Sequence, residues 1–111
     1  MRHSVTHPLA RHKQVKDSFV TEPFECAWAS EAIFFVRIQQ AIDESAVLNA
    51  RPQISADGIH WVDEGSEFPP MQGVGTWFLR LSHFGGWLRL CCESKCAGST
   101  FDTMIHLVLK G

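Results

Sequence analysis

Gln53-Ile54-Ser55-Ala56-Asp57-Gly58-Ile59-His60-Trp61-Val62 and Leu79-Arg80-Leu81-Ser82-His83-Phe84-Gly85-Gly86-Trp87-Leu88-Arg89-Leu90 decide the fold class. In the first stretch, Asp57-Gly58 is the commonest two-residue hairpin signal, since both central positions of that turn need positive φ. Closure there predicts Ala56 opposite Ile59, Ser55 opposite His60 and Ile54 opposite Trp61. In the second, a Gly85-Gly86 turn predicts His83 opposite Leu88, Leu81 opposite Leu90 and Leu79 opposite Cys92. One face of that hairpin then carries only Leu79, Leu81, His83, Leu88, Leu90 and Cys92, with Arg80, Ser82 and Arg89 on the other. Such period-two alternation marks an antiparallel sheet with one buried face.

Outward from these hairpins the chain continues in the same style. Ala32-Ile33-Phe34-Phe35-Val36-Arg37-Ile38-Gln39 is β-branched and aromatic, and is expected to be a strand apolar on both faces. A helix over residues 30–42 is the rival, with Ser30 as N-cap and Phe34, Ile38, Ala41 and Leu48 as its stripe. Phe24 to Trp28 is another candidate strand. Val47 to Ala56 is expected to be a strand with Pro52 at an edge or bulge, because proline cannot donate to a ladder. Asp43-Glu44-Ser45 is expected to turn and Lys95 to Thr100 to loop. Residues 64–76, with Phe68-Pro69-Pro70 and Gly73-Val74-Gly75, form a connection long enough to cross between sheets. The last strand alternates Phe101, Thr103, Ile105, Leu107 and Leu109. Seven or eight such strands give an all-β fold, an antiparallel β-sandwich of jelly-roll type.

The chain has 111 residues, enough for one domain with a modest core. Four Trp and eight Phe without Tyr favour a sandwich or barrel with bulky interior residues. The formal charge of −2 conceals an asymmetry. All four charges of residues 1–16 are basic (Arg2, Arg11, Lys13 and Lys16), so the rest of the chain is net acidic. Residues 1–18 have no hydrophobic period and are expected to form a flexible basic arm ahead of a sandwich over residues 19–111. Arg2, Arg11, Lys13 and Lys16 would then contact a polyanion or a neighbouring subunit. No apolar run approaches the roughly 20 residues of a membrane span. The start of the chain lacks a secretory pattern, so a cytoplasmic protein, or one packaged into a particle, is expected. Reduced thiols follow for Cys26, Cys91, Cys92 and Cys96.

Catalytic and metal chemistry find little support. Cys92-x₃-Cys96 has the spacing of half a zinc site, but adjacent strand residues point to opposite faces, so Cys91 and Cys92 cannot readily share a metal. Free cysteine packs as a small hydrophobe, and that is the expectation here. His60, His83 and His106 fall on separate segments, with His83 on the buried side of its hairpin. Ser82-His83 lacks a nucleophile elbow, and Gly73-Val74-Gly75 is too short for a phosphate loop. No enzyme activity and no cofactor are expected. Phe78, Arg80, Phe84, Trp87 and Arg89 form the more informative group, on the face opposite the leucines. Three aromatics with two guanidinium groups suit a subunit interface, a ligand platform, or a surface covered by the arm or the 64–76 loop.

Ile54-Ser55-Ala56-Asp57-Gly58-Ile59-His60-Trp61, then Gly86-Trp87-Leu88-Arg89-Leu90, then Ile105 to Gly111, resemble discoidin-type sandwiches and small β-sandwich proteins of phage-like particles over residues 47–111. The particle resemblance implies a structural subunit that forms a homo-oligomer or decorates a larger complex. The discoidin resemblance implies a carbohydrate- or ligand-binding module. Discoidin domains are longer and use loop spikes ahead of their first strands, so none of their binding residues transfers to this chain.

Overall fold

The alternation of the last strand organises half of the molecule. The structure, a computed structural model, describes residues 4–16, 18–41, 46–94 and 100–111, the side chains of residues 12, 14 and 16 lying outside the described set. Strands β1 (Ser4–Lys16), β4 (Glu31–Ala41), β8 (Gly75–Ser82) and β10 (Thr100–Lys110) form a first sheet in the order β1-β10-β4-β8. A second sheet runs β2 (Ser18–Val20), β9 (Trp87–Ser94), β5 (Val47–Ser55), β6 (Val62–Asp63). The short β3 (Phe24–Glu25) extends it along β9, and β7 (Met71–Gln72) along β5. All pairings are antiparallel. With β2/β3 and β6/β7 each taken as one interrupted strand, the chain passes between sheets at every connection except β5 to β6. That is jelly-roll connectivity.

Phe101, Thr103, Ile105, Leu107 and Leu109 all point into the core, as their alternation requires. Segment 30–42 is the strand, not the helix: Ala32, Phe34, Val36 and Ile38 face inward from β4. Leu88, Leu90 and Cys92 of β9 and Leu48 and Ala50 of β5 meet them from the second sheet. The buried Thr103 hydroxyl donates to the Lys13 carbonyl at 3.1 Å, beside an irregularity in β1. Pro52 lies inside β5, and its carbonyl accepts from Glu64 N–H at 3.1 Å. Backbone N and O of one strand residue point to the same side, so its missing donor faces the interrupted β6/β7 flank rather than β9. The 64–76 connection crosses between the sheets, pinned by buried Phe68, whose N–H reaches the Ala50 carbonyl at 2.9 Å.

Four expectations need correction. Residues 4–16 are no free arm; they form β1, paired along β10 with two register shifts. Its partners supply what its own sequence lacks. The His7 ring lies 4.4 Å from that of Phe24, and the Lys13 ammonium sits 4.9 Å over Phe19, so β1 closes one flank of the sandwich. Gly85-Gly86 makes no hairpin either, because β8 and β9 belong to different sheets. β8 pairs with β4 along its whole length, while β3 occupies Trp87 and Leu88. Neither glycine has positive φ; a Cβ on Gly85 would stand 3.1 Å from the Ser55 carbonyl oxygen, so close backbone approach is what this position demands. His83 takes the left-handed conformation at φ 57° and is exposed rather than buried. The first hairpin exists but is wider than expected, with Ile54 opposite Val62 instead of Trp61. The turn at Asp43-Glu44-Ser45 and residues 95–99 of the later loop lie outside the described residues.

Candidate functional site

The two outer faces of the sandwich differ in chemistry. On the first sheet the strand registers align His106, Phe35 and Phe78 in one row across β10, β4 and β8, and Val108, Ile33 and Arg80 in the next. Phe78 is 53% exposed, its ring 6.2 Å from that of Phe35, and the Arg80 guanidinium lies 5.3 Å over it. Ile33, Phe35, Met104 and Val108 are half-buried around it. This is a mainly apolar surface with cations at its margin.

The second sheet presents hydrogen-bonded polar groups. Gln53 accepts from Arg89 Nε at 2.8 Å and donates to Asp63 Oδ1 at 2.9 Å. Arg51 donates from Nε to the same Asp63 oxygen at 3.2 Å and from Nη1 to Glu93 Oε1 at 3.0 Å. Gln53 foremost, with Arg51, holds the Asp63 carboxyl below its ordinary range, and the Glu93 bond raises the Arg51 guanidinium. The Arg89 guanidinium lies 4.3 Å over the Trp61 ring. Each charge here is fixed by a neighbour from another strand.

The 55–61 loop borders this surface and is tied down by two side chains. The Ser55 hydroxyl accepts from Asp57 N–H at 3.2 Å and Gly58 N–H at 2.8 Å. The Asp57 carboxylate accepts from Ile59 N–H at 2.8 Å and His60 N–H at 2.9 Å, and pairs with His60 Nδ1 at 2.8 Å. The His60 side chain, then these backbone donors, hold the Asp57 carboxyl far below the usual carboxylate range. Gly58, at φ 80°, lies so close to Trp87 that a Cβ would be 3.1 Å from its ring. This is Asp and Ser chemistry capping a loop, which explains why a two-residue turn does not form.

The predicted group Phe78, Arg80, Phe84, Trp87 and Arg89 is therefore not one surface. Phe78 and Arg80 lie on the first sheet's outer face, Trp87 and Arg89 on the second's, and Phe84 packs against the core at the crossing between them. Of the basic residues, Arg11 and Lys13 are exposed on β1, whereas Arg2 and the Lys16 side chain lie outside the described residues. Sequence reasoning passed over Arg51, Gln53, Trp61, Asp63 and Glu93. The available signal was Arg51 and Gln53 alternating with Ala50, Pro52 and Ile54, which marks them as outward. Cys26, Cys91 and Cys92 are buried and unpaired in any disulfide. Burial pushes the thiols of Cys26 up to about 11 and Cys92 up to about 12. Among the described residues, no three His, Cys, Asp or Glu are grouped to hold a metal ion, and no helix is long and apolar enough to cross a membrane.

No protein-family model matches the chain, and no curated protein does. Solved structures share its fold at low sequence identity. The VP2 protein of infectious bursal disease virus, in derived T=1 particles, superposes with a TM-score of 0.62 at 9% identity, over 98% of this chain and 31% of that one. The chain thus spans less than a third of the virus protein. The SPBc2 prophage-derived protein YomS matches with a TM-score of 0.59 at 8% identity, over 100% of this chain and 96% of that one. The CBM36-1 domain of a xylanase from the hindgut metagenome of Trinervitermes trinervoides matches at 0.50 and 7% identity, over 95% and 96%. These likenesses establish the β-sandwich fold.

Proposed function

We propose that this protein is a non-enzymatic assembly subunit, forming a homo-oligomer or decorating a larger complex through the outer face of its first sheet. The observation that carries this is the Phe35–Phe78 pair, with Phe78 half exposed among Ile33, Met104 and Val108 on a face that no other described element covers. A contiguous apolar patch on a sheet face marks a site where something packs, and an aromatic centre with a polar rim is the usual composition of a protein interface. A T=1 particle among the fold neighbours agrees with a subunit role. Light scattering coupled to size exclusion tests the proposal. A defined oligomer that persists in high salt, and dissociates when Phe35→Ser is combined with Phe78→Ser, is expected. A monomer at every concentration and salt would overturn it.

A second reading, a carbohydrate-binding module, draws on the Trp61–Arg89 stack and its hydrogen-bonded Gln53 and Asp63. An indole edge beside fixed donors and acceptors suits a sugar ring. Retardation by a soluble polysaccharide in affinity electrophoresis, lost in Trp61→Ala with the solution mass unchanged, would select this reading over the first.

A further inference from the structure

We propose that the outer edge of β8 is a self-pairing edge: two copies of the chain join β8 to β8 antiparallel across a two-fold axis and fuse their first sheets into one. This inference rests on the assembly reading above and names the partner, a second copy of this chain.

The two edges of the first sheet are treated differently. β1 carries two register shifts, Pro8, and the exposed cations Arg11 and Lys13, and it leans its side chains on Phe19 and Phe24 of the other sheet. Irregularity, proline and charge are how natural sheets blunt an edge. β8 has neither irregularity nor proline. Its pairing with β4 runs from Glu31↔Ser82 to Ile38↔Gly75 without a shift. It contains no proline, and Arg80, its one charged residue, points to the outer face. Among the described residues, no backbone hydrogen bond from a turn or loop reaches it. A regular ladder with a single charge, left open at a sheet edge, is a template for another strand.

The sequence of β8 also selects its partner. Pairing β8 with the blunted β1 of a neighbour would be head-to-tail and open-ended, whereas β8 with β8 closes as a dimer. Strands related by a two-fold axis normal to the sheet set residues of the same face opposite each other. Placing Leu79 on the axis puts Phe78 opposite Arg80 of the second copy, Trp77 opposite Leu81 and Thr76 opposite Ser82. These are a cation–π pair, an apolar pair and a hydroxyl pair. Centring on Arg80 would instead oppose two guanidinium groups. The favoured register also brings the two Phe35–Phe78 patches side by side into one wider apolar face.

Amide hydrogen exchange of the unmodified protein, read by NMR at a concentration where light scattering shows the oligomer, tests this. Slow exchange at consecutive β8 amides from Thr76 to Ser82, lost on dilution into monomer, is expected. In an edge left free, only the alternate amides that face β4 are protected. Alternate protection in a proven oligomer would overturn the edge pairing while leaving the assembly reading intact. A monomer under all conditions would overturn both. The register has its own readout. Phe78→Cys combined with Arg80→Cys should oxidise to a covalent dimer, with each bond joining position 78 to position 80 of the second copy in peptide mapping. A bond between the two copies of position 78 would overturn the register.

Discussion

The outer faces of the two sheets both come from alternating strands, yet one centres on an aromatic and aliphatic patch and the other on interlocked charges. On the second sheet, Arg51, Gln53, Asp63, Arg89 and Glu93 hydrogen-bond one another within a single chain. On the first, the Arg80 guanidinium lies over the Phe78 ring, and that ring neighbours Phe35. A surface whose polar groups are already paired loses little by staying in water. A surface with a half-exposed phenylalanine at its centre gains by being covered. The contrast supports the proposal of an interface on the first sheet, and sets the hydrogen-bonded polar surface of the second apart from it.

The largest effect that sharpens this contrast lies within β4. Phe34 and Phe35 are neighbours in sequence, but Phe34 is fully buried and Phe35 only half-buried. Phe34→Ala should cost about 3–5 kcal/mol in urea unfolding, through lost transfer energy and a cavity. Phe35→Ala should cost about 1–2 kcal/mol, following its smaller buried area. The denaturation midpoint should shift in both with the slope retained. Equal costs would mean that the first sheet's outer face is as tightly packed as the core, and the interface would have to be sought elsewhere.

The next effect belongs to the other face. Gly58→Ala combines a positive φ with a Cβ pressed on the Trp87 ring, and should destabilise by about 1–2 kcal/mol. It should also disturb the Trp61 and Trp87 environment seen by near-ultraviolet circular dichroism, while the solution mass stays that of the parent. A change in oligomer size from this substitution would tie the two faces together and weaken their separation.

The same two regions show what was legible in the sequence. Inward positions were, because period two assigns a face regardless of partner: Leu81, Leu88, Leu90 and Cys92 are buried as the alternation requires. Partners were not. A hairpin and a crossing between two sheets of a sandwich bury the same residues, so alternation cannot separate them. Jelly-roll connectivity does, since it keeps only β5 and β6 together within one sheet, and it therefore forbids the β8–β9 hairpin. β1 escaped recognition because its bulges break the period and its apolar cover, Phe19 and Phe24, is supplied from the other sheet. The second face's network was invisible for a related reason. Arg51 meets Glu93 and Asp63 only through the registers of β9 and β6 against β5.

The smallest expected effect concerns pH, and its sign follows from the Asp57 carboxylate. Hydrogen bonds from His60, Ile59 and Ser55 lower its folded-state value below that of the unfolded chain, the His60 side chain contributing most. A carboxyl lowered in this way stabilises the loop fully above the unfolded value, about 3.9. That contribution is lost only as pH falls through the lower folded value. The amide shifts of Gly58, Ile59 and His60 should therefore hold steady as the Asp57 carboxyl passes through the pH range where exposed carboxylates titrate. In Asp57→Asn the charge is gone, so the His60 ring should lose its anionic partner while an amide oxygen still receives the backbone donors. The loop should then keep its shape. If Asp57 instead titrates near 4 in the parent protein, the capped loop is open in solution, and the second face loses the rigid border that distinguishes it from the first.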